Sequence, residues 1–546
     1  MIARSTALAA LAAERFEVVV VGGGITGAGV ALDAASRGYS VALIEAADYA
    51  SGTSSRSSKL VHGGLRYLQN FDLGLVREAL LERQLMVRLA PHLVRPLPFV
   101  VPAFGGSRPD RMMGVGLNLY DAMAVDGRRS ESGWTPERHR VIGAEEIVGL
   151  LPALAGRAPT SGYLFHDCQT DDSRLVLTVL GEAERYGAVL ASRVRATDVL
   201  DAGLAARDEL TGDTFEIQAD NVVNATGVWA DRLRPEELHG EAELPKIRPS
   251  RGSHVVVDHG TLPLHAGAIV PAGEGRSIFA LPWLGATLIG TTDTDHDETD
   301  LAHVRPEAAD VAYLLDAVNA FFGTALQPSD AAGAYAGVRP LIATADPRKS
   351  VDISRRAELF ETSSGMITIT GGKLTTWRRM ARLAVDRLVE RDARDAPCRT
   401  HEIPLGQAVD AAALPRVDGV AEAAYERLAG RYGHAAHAVL EVAAEDPDLA
   451  APIAAGAPPD LLAEAVVAAR LEQATTVGDV LLRRTRTALL AARAVSEPVA
   501  ARRVAAAMAP ELGWDGAAID AAAAAFLTEA AAEGIVLGPD AVGATA

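Results

Sequence analysis

The 546-residue sequence has few cysteines, no long apolar runs and no extended basic segments. Its two cysteines, Cys168 and Cys398, form no Cys-x-x-Cys pair, so neither a disulfide framework nor a zinc site is implied, which suits a reducing cytosol. No apolar stretch approaches the roughly 20 residues that a membrane-spanning helix needs. No basic block exceeds three residues, and 52 basic against 71 acidic residues leave a net charge of −19. A nucleic-acid-binding surface therefore has no support, and any contact with anionic lipid must be local.

Hydrophobic residues make up 49% of the chain, which is enough for a large core. The length predicts roughly three to four domain-sized units. Residues 1–13 are rich in alanine and leucine and look like a short signal peptide, but a strand pattern begins almost at once, near Phe16. We expect residues 1–13 to form a loose helical arm of an intracellular protein.

One strand–turn–helix–strand unit dominates the N-terminal part of the chain. Four valines at 18–21 run into Gly22-x-Gly24-x-x-Gly27, a helical pattern follows, and a second apolar run at 41–44 ends at Glu45. The valine run is typical of a parallel strand that is buried on both faces. Glycines at this spacing let the backbone approach a pyrophosphate at a helix N-terminus, and an acidic residue at this distance can bind a ribose. The unit predicts a dinucleotide site.

Later segments read as returns to the same sheet. Residues 221–224 form a short buried strand before Ala225-Thr226-Gly227, and a strand at 366–370 leads through Gly371-Gly372-Lys373 into a helix at 374–388. Four short strand patterns, at 253–257, 267–271, 277–281 and 286–290, predict an antiparallel substrate-domain sheet. From about residue 396 the chain is alanine-rich, with helical patterns at 461–474, 479–493, 498–508 and 517–531.

These patterns predict three domains. A discontinuous nucleotide-binding domain takes residues 14–70, 160–240 and 335–395. A substrate domain takes 71–159 and 241–334. A separate helical domain takes 396–546.

A loop rich in hydroxyl groups follows the first unit, at residues 51–58. Small side chains with many donors suit a phosphate-bearing ligand, although this composition is also typical of a solvated linker. The next residues, Lys59-Leu-Val-His62-Gly63-Gly64-Leu-Arg66-Tyr67, favour the first interpretation, because a linker rarely leads into His-Gly-Gly and an Arg-Tyr pair.

At this point the sequence resembles the FAD-dependent glycerol-3-phosphate dehydrogenase family. The segment from Val21 to Gly38 resembles the first family signature, and Gly371-Gly-Lys-Leu-Thr-Thr-Trp377-Arg resembles the second. Stretches between them agree in the same order: 57–67, 224–227, 252–254, 290–293 and 337–340. The C-terminal part matches more weakly, chiefly at Leu481-Leu-Arg-Arg-Thr-Arg486. The family pattern has Tyr where this chain has Trp377, which puts any role of that hydroxyl in doubt.

The resemblance implies an α/β fold with a discontinuous Rossmann-like FAD-binding domain, of the glutathione-reductase and D-amino-acid-oxidase type. An antiparallel-sheet substrate domain and an α-helical C-terminal domain complete it. FAD is the implied cofactor, and no metal site is predicted. The predicted FAD contacts are Gly22, Gly24, Ile25, Thr26, Gly27, Glu45, Thr53, Ser54, Ser55, Ser58, Lys59, Leu60, His62, Gly63, Gly64, Ala225, Thr226, Gly227, Gly372, Lys373, Leu374 and Thr375.

The implied reaction oxidises sn-glycerol 3-phosphate to dihydroxyacetone phosphate, with FAD accepting the hydride. The substrate is dianionic, and guanidinium groups match phosphate geometry. The predicted substrate-binding residues are Arg66, Tyr67, Arg339, Arg355 and Lys373, of which Arg355 has Arg356 as a competitor for its role. The predicted catalytic residues are His62, His254, Arg339 and Lys373. His62, His254 and Lys373 are alternative bases, and the sequence does not choose between them.

The resemblance also implies a membrane quinone as acceptor, a homodimer, and a cytoplasmic protein bound peripherally to the inner face of the cell membrane. Residues 105–120 offer one contact, with Arg108 and Arg111 beside Met112, Met113, Val115, Leu117 and Leu119. A core-facing helix is the alternative. Other functions stay open: a glycerol-3-phosphate oxidase that uses O2, an FAD-dependent oxidoreductase of amino or 2-hydroxy acids, and a flavin-binding regulatory scaffold without turnover.

Overall fold

The computed structural model describes residues 1–68, 72–105, 109–124, 134, 136–235, 238, 240, 243–273, 275–343 and 357–537. The side chains of Arg66 and Tyr67, and all of Arg108, Arg355 and Arg356, lie outside this description.

The strands and helices follow one another in mixed order. The strands are β1 (Arg15–Val21), β2 (Val41–Glu45), β3 (Leu60–Val61), β4 (Arg95–Phe104), β5 (Arg140–Gly143), β6 (Pro159–Gln169), β7 (Val189–Ser192), β8 (Val194–Leu200), β9 (Gly203–Asp208), β10 (Thr214–Asn224), β11 (Ile247–Asp258), β12 (Gly267–Pro271), β13 (Ser277–Trp283), β14 (Ala286–Gly290), β15 (Thr294–Asp295), β16 (Ala331–Ile342), β17 (Ala357–Glu361) and β18 (Ile367–Gly371). The helices are α1 (Arg4–Ala13), α2 (Ile25–Ser36), α3 (Leu73–Leu89), α4 (Arg111–Ala124), α5 (Ala144–Leu150), α6 (Asp172–Arg185), α7 (Ala308–Phe322), α8 (Trp377–Arg391), α9 (Glu422–Tyr432), α10 (Ala436–Glu445), α11 (Leu462–Glu472), α12 (Thr487–Leu490), α13 (Ala492–Val495), α14 (Pro498–Leu512) and α15 (Gly516–Glu533).

The first sheet has the strand order β17-β18-β10-β1-β2-β7. Strands β18, β10, β1, β2 and β7 are parallel, whereas β17 is antiparallel to β18 at the edge. The valines of β1 are buried because helices α2, α6 and α8 cover one face of the sheet and α1 with the β8–β9 hairpin covers the other. The predicted returns of the chain to this sheet, as β10 and β18, are confirmed.

Helix α1 is more firmly attached than the loose arm that we expected. Ala7 and Leu11 are fully buried against the first sheet, and Arg4 pairs with Asp208 at 2.6 Å. The expectation was wrong because it considered charge and composition and not the apolar i, i+4 pair that the sheet can cover.

The second sheet is mainly antiparallel, with the order β15-β11-β14-β13-β12-β4-β6-β3. Strands β16 and β5 pair with β11 and β6. The four predicted strands appear as β11 to β14. Strands β6 and β16, however, belong to this sheet, although the predicted boundaries put 160–169 and 335–342 in the nucleotide-binding domain. Both strands are long and pair with distant segments, so their sheet cannot be read from local pattern.

The C-terminal region is not a separate body in its packing. Many of its side chains, such as Leu462, Val480 and Phe526, belong to the same hydrophobic cluster as Phe99 and Leu281 of the second sheet, whereas α9 and α10 pack in a cluster of their own. The predicted single helix at 479–493 is broken into a π-helical turn (Asp479–Arg484) and the short helices α12 and α13. The break lies at Arg486, whose φ of +67° interrupts the helix.

Candidate active site

A cavity of about 2060 Å³ lies at the carboxyl ends of β1, β2, β10 and β18 and extends beneath the second sheet. Its volume exceeds the roughly 300–1,000 Å³ of pockets that bind drug-sized ligands. Open α/β sheets bind ligands at the carboxyl ends of their strands. The cavity therefore has room for a long cofactor together with a small substrate.

The glycine turn after β1 forms one end of the cavity. Gly22 has a φ of +114°, and a Cβ atom there would lie 2.6 Å from the Ala225 carbonyl oxygen. A Cβ atom on Gly27 would lie only 1.9 Å from the Gly22 carbonyl oxygen, because α2 begins directly against the turn. Ile25 and Thr26, in the first turn of α2, line the cavity. The positive end of the helix is thus presented to whatever occupies this end, as an anionic pyrophosphate requires.

Glu45 lies beside this turn at the end of β2. One of its carboxylate oxygens accepts a hydrogen bond from Gly23 N at 2.7 Å, and the other accepts one from Ala47 N at 2.8 Å. Burial raises the pKa of this carboxyl group despite these bonds. Glu45 lines the cavity, so it can reach a ligand there while it also holds the glycine turn in place.

The hydroxyl-rich loop and the second glycine turn form the sides of the cavity. Ser54 Oγ accepts a hydrogen bond from Ile25 N at 2.9 Å, which ties the loop to the start of α2. Gly371 and Gly372, with φ of +78° and +67°, turn the chain after β18. His62 N donates to Thr375 Oγ1 at 3.1 Å and so joins the two segments.

The predicted cofactor contacts divide into two groups. Those that line the cavity are Gly22, Gly24, Ile25, Thr26, Glu45, Thr53, Ser54, Ser58, Leu60, His62, Gly64, Ala225, Thr226, Gly227, Gly372, Lys373, Leu374 and Thr375. Gly27, Ser55, Lys59 and Gly63 lie behind this wall, and Lys59 is fully buried in an ion pair with Asp172. Their place in the structure is to support the wall from behind.

All four predicted catalytic residues line the same cavity. Arg339, on β16, donates from Nη2 to Thr291 Oγ1 at 2.9 Å and to the Thr292 carbonyl oxygen at 3.1 Å, and its Nη1 lies 3.3 Å from Asp293 Oδ1. These contacts hold the guanidinium at the cavity wall. Lys373 stands directly before a 3-10 turn (Leu374–Thr376). The tertiary fold thus gathers residues that are up to 311 positions apart in sequence.

His254 is the most deeply buried of the four, with 2% of its surface exposed. Its Nε2 lies 2.9 Å from Ser58 Oγ, and its ring stacks on Tyr335 at a centroid distance of 4.6 Å. Burial, with the positive charges of Lys59 and Arg339, holds the pKa of His254 well below its usual range. The imidazole is therefore neutral near pH 7.

Sequence reasoning missed part of the cavity wall. Thr291 and Asp293 belong to the family-like stretch 290–293, but no role had been assigned to them. Phe165 and Phe279 add an apolar surface, and the ring of His62 meets Phe279 edge-on at 6.4 Å. C-terminal residues also line the cavity, including Thr476, Arg483 and Thr528. Nothing in the local sequence signals this, because the contact depends on how the C-terminal region docks.

Trp377 does not belong to the cavity wall. It is 1% exposed, its Nε1 donates to Met86 Sδ at 3.2 Å, and a Cβ atom on Gly29 would lie 2.6 Å from its ring. The position packs α8 against α2 and α3. The phenol hydroxyl of the family pattern would therefore sit in a protein core rather than on a ligand.

The residues described above contain neither a metal-ion cluster nor a membrane-spanning helix. No group of three or more His, Cys, Asp or Glu side chains in these ranges could hold a metal ion. No helix within them is both long and apolar enough to cross a membrane.

Comparison with known proteins identifies relatives along nearly the whole chain. Residues 17–387 match the family described as FAD dependent oxidoreductase, and residues 367–519 match the C-terminal domain of alpha-glycerophosphate oxidase. Glycerol-3-phosphate dehydrogenase 2 of Mycobacterium tuberculosis (strain ATCC 25618 / H37Rv) is 39% identical over 548 residues, which cover 97% of this chain and 90% of that protein. Aerobic glycerol-3-phosphate dehydrogenase of Staphylococcus haemolyticus is 34% identical, with 86% of each chain covered.

A solved structure shows the same similarity. The X-ray structure of the glycerol-3-phosphate dehydrogenase from Bacillus halodurans, complexed with FAD, matches with a TM-score of 0.77 and 30% identity, covering 98% of both chains.

Proposed function

The chain belongs to the FAD-dependent glycerol-3-phosphate dehydrogenase family, and we propose that it oxidises sn-glycerol 3-phosphate to dihydroxyacetone phosphate and passes the electrons to a membrane quinone. The observation that carries the proposal is the convergence of Arg339, Lys373, His62 and His254 on one cavity that also contains the dinucleotide turn.

The residues fit FAD along the whole cavity. Gly22 and Gly27 allow the turn to pack against Ala225 and the start of α2, where any side chain would clash with a carbonyl oxygen, and the start of α2 favours the charge of a pyrophosphate. From there the cavity continues past Ser58 to the second glycine turn, so the two ends of a dinucleotide can contact different parts of the cavity wall. When bound, FAD supplies the hydride acceptor of the reaction.

Substrate binding needs local positive charge, because the whole chain carries −19. Arg339 and Lys373 supply it at the cavity wall, and a guanidinium group can bind two phosphate oxygens at once. Each such charge-assisted bond contributes about 1.5–3 kcal/mol. Arg66, Tyr67 and Arg355 remain predicted partners of the phosphate.

Loss of the substrate hydroxyl proton needs a base, and three residues stay candidates. His254 is neutral and can accept a proton, but its low pKa makes it a weak base unless the bound substrate changes its surroundings. His62 and Lys373 line the same cavity. We expect one of His254→Ala, His62→Ala or Lys373→Met to change the rate and pH profile of flavin reduction, and three unchanged profiles would exclude this set.

The quinone part of the proposal is supported by α4. Met112, Val115 and Leu119 are 75%, 62% and 40% exposed and follow i, i+3, i+7 spacing, so they form one apolar stripe. Leu117 is fully buried and anchors the helix from its other side. The same stripe borders the cavity, which brings an apolar, lipid-compatible surface to its entrance.

The first experiment adds glycerol 3-phosphate to the purified protein without oxygen and follows the flavin spectrum. Bleaching supports the cofactor, the substrate and the first half-reaction together. An unchanged spectrum with a full complement of FAD would contradict the proposal. A panel of amino acids and 2-hydroxy acids serves as the control for the other substrates of related folds.

A second experiment tests the acceptor. We expect Met112→Gln/Val115→Gln/Leu119→Gln to keep flavin bleaching but to lose binding to anionic vesicles and reduction of a lipid-soluble quinone. Val499→Gln, which changes a valine that is 70% exposed on α14, is the matched control. Equal quinone reduction by both variants would contradict a role for the stripe.

An oxidase is the second candidate, because residues 367–519 match the C-terminal domain of alpha-glycerophosphate oxidase. The amount of peroxide formed with and without a quinone analogue separates the two. Full conversion of oxygen to peroxide in the presence of quinone would favour the oxidase.

A further inference from the structure

The segment 55–59 lies between the cavity and the turn of the C-terminal region that contains Arg486. Ser57 and Ser58 line the cavity, whereas Ser55 and Lys59 are buried behind them. Lys59 has a φ of +60°, a conformation that a lysine adopts only when its surroundings impose it. The segment must therefore be held from behind.

Asp172, the first residue of α6, provides part of this support. Its fully buried carboxylate accepts hydrogen bonds from Ser57 N at 3.0 Å, from Ser57 Oγ at 2.7 Å and from Lys59 Nζ at 2.8 Å. Lys59 Nζ also donates to the Ser55 carbonyl oxygen at 2.6 Å. Backbone and side-chain atoms at positions 55, 57 and 59 thus share one charged cluster.

Arg486 joins this cluster from the C-terminal region. It is 1% exposed, and its Nη2 donates to the Ser55 carbonyl oxygen at 3.0 Å and to Asp172 Oδ1. Its Nη1 donates to the Leu482 carbonyl oxygen at 2.7 Å. Its backbone lies at the helix break described above. The break therefore lets one arginine reach across the interface to the segment.

Two charges of the same sign share one carboxylate here. Burial and the positive charge of Arg486 lower the pKa of Lys59 to about 7, even though the negative charge of Asp172 favours the protonated lysine. Burial opposes ionisation of Asp172, but the charges of Lys59 and Arg486 outweigh it and lower the pKa of that carboxyl group. Removing Asp172 would leave two buried cations without their shared counter-charge, whereas removing Arg486 or Lys59 would leave the other cation paired with Asp172.

The cluster leads directly to His254. Tyr335 OH donates to the Ser57 carbonyl oxygen at 2.7 Å, and Lys59 Nζ lies 4.6 Å from the centroid of the Tyr335 ring. The same ring stacks on the imidazole of His254, whose Nε2 also lies 2.9 Å from Ser58 Oγ. The imidazole is thus placed by two residues that both depend on segment 55–59.

We propose that Arg486, Asp172 and Lys59 are positioning residues through which the C-terminal region sets the location of Ser58 and His254 in the active site. This proposal rests on the proposed function, because it assumes that the cavity is the site of alcohol oxidation. The role differs from simple docking, because other buried arginines of the same turn bind elsewhere. The guanidinium of Arg484, which is fully buried, pairs with Asp48 at 2.7 Å and with Glu472 at 3.2 Å, whereas that of Arg486 pairs with Asp172.

The test compares Arg486→Met with the matched control Arg484→Met in the FAD-loaded enzyme. Each variant is assayed at the same number of degrees below its own melting temperature, beside the parent enzyme at the same assay temperature. A difference in stability between the variants then does not account for a difference in rate. We expect Arg486→Met to slow flavin reduction by glycerol 3-phosphate by about 10- to 100-fold with KM changed less than 2-fold, as a misplaced group does. Arg484→Met should stay within about 2-fold of the parent rate, and Arg486→Lys should recover part of the loss.

Hydrogen exchange of the same holoenzymes gives a readout that does not depend on turnover. Amides of peptides covering 55–59 should exchange faster in Arg486→Met than in Arg484→Met, because Ser57 N and Lys59 N lose their ordered partners. If Arg486→Met does not fold, Tyr335→Phe keeps the ring but removes the bond to Ser57, and it should slow flavin reduction by about 2- to 5-fold.

Equal rates and equal exchange in Arg486→Met and Arg484→Met, or a parent-like rate in Tyr335→Phe, would overturn the proposal. A parent enzyme whose flavin is not reduced by glycerol 3-phosphate would contradict the proposed function instead. The exchange comparison would still decide whether Arg486 orders the segment.

Discussion

Our strongest prediction concerns Asp48, which joins the N-terminal sheet to the C-terminal region through buried ion pairs. It follows β2 and is 1% exposed, and its carboxylate accepts hydrogen bonds from Arg484 Nη1 and Nη2 at 2.7 and 2.8 Å and from Arg483 Nε at 2.5 Å. Asp48→Asn keeps the shape of the side chain but removes its charge. Two buried guanidinium groups then lose a shared counter-charge.

The expected cost follows from the burial of these groups. Breaking a buried ion pair by removing one partner destabilises a protein by about 3–5 kcal/mol. We expect the lower part of that range here, because Arg483 keeps Asp479 and Arg484 keeps Glu472 as counter-charges. With an unfolding entropy of about 2.1 cal/mol/K per residue, 546 residues give about 1.1 kcal/mol/K. The melting temperature should therefore fall by about 3–4 °C if the chain unfolds as one unit, and by more if a smaller unit melts first.

Differential scanning calorimetry measures this shift. The matched control is Asp220→Asn, which removes the charge of an aspartate that pairs with Arg15 while 46% exposed, and which should cost less than about 1 kcal/mol. In the double variant Asp48→Asn/Arg484→Gln the loss should be smaller than the sum of the single losses, because charge and counter-charge leave together. A shift in Asp48→Asn no larger than in Asp220→Asn, or strict additivity in the double variant, would refute this account of the interface.

Three further variants test the cavity and its surroundings. Gly27→Ala should lose most of its FAD, measured as flavin absorbance per protein, because its Cβ atom would lie 1.9 Å from a carbonyl oxygen, whereas Gly181→Ala, with open space around it on α6, should retain FAD. Arg339→Met should lower kcat/KM for glycerol 3-phosphate by about 10- to 150-fold, and an unchanged KM and kcat would remove Arg339 from the substrate site. The hydrogen bond to Glu533 raises the pKa of His303 above its ordinary 6.5, so the contact stabilises the fold below pH 6.5 and its contribution is lost as pH rises through the raised value. His303→Gln should therefore lower the free energy of unfolding, measured by urea titration, at pH 5.5 but not at pH 8.5. The loss should be less than about 1 kcal/mol because the side chain is 45% exposed, and the opposite pH order would contradict the assignment.

Local pattern was enough to predict the parts of the molecule whose structure is decided within about 30 residues. The valines of β1, the glycines before α2 and the run at β2 form a unit in which β1 pairs directly with β2 and α2 connects them, so its pattern can be recognised locally, although β10, β7 and other helices complete its pairing and burial. The short strands β11 to β14 are joined in part by tight turns, as between β13 and β14, and their pattern shows where the chain reverses. For the same reason the hydroxyl-rich loop could be predicted to face a ligand.

Boundaries and long pairings could not be predicted in this way. Strand β16 pairs with β11, which lies about 80 residues earlier in the chain, and the residue pattern of neither strand indicates that the other is its partner. Trp377 carries the same lesson for single residues. The family-like motif left any role of the family's hydroxyl at this position in doubt, and the packing of α8 against Gly29 puts the Trp377 ring in the core.

The sequence by itself thus determined that the chain has a dinucleotide turn, a sheet visited several times, and arginines and histidines suited to a phosphate-bearing alcohol. Only the tertiary structure decided which of these side chains share a cavity. Arg339 reaches its wall, whereas Arg484 and Arg486 are buried in ion pairs with Asp48 and Asp172. The physical reason is that the position of a buried arginine depends on its counter-charge. That partner lies far away in sequence, so the residues that flank the arginine in the chain do not identify it.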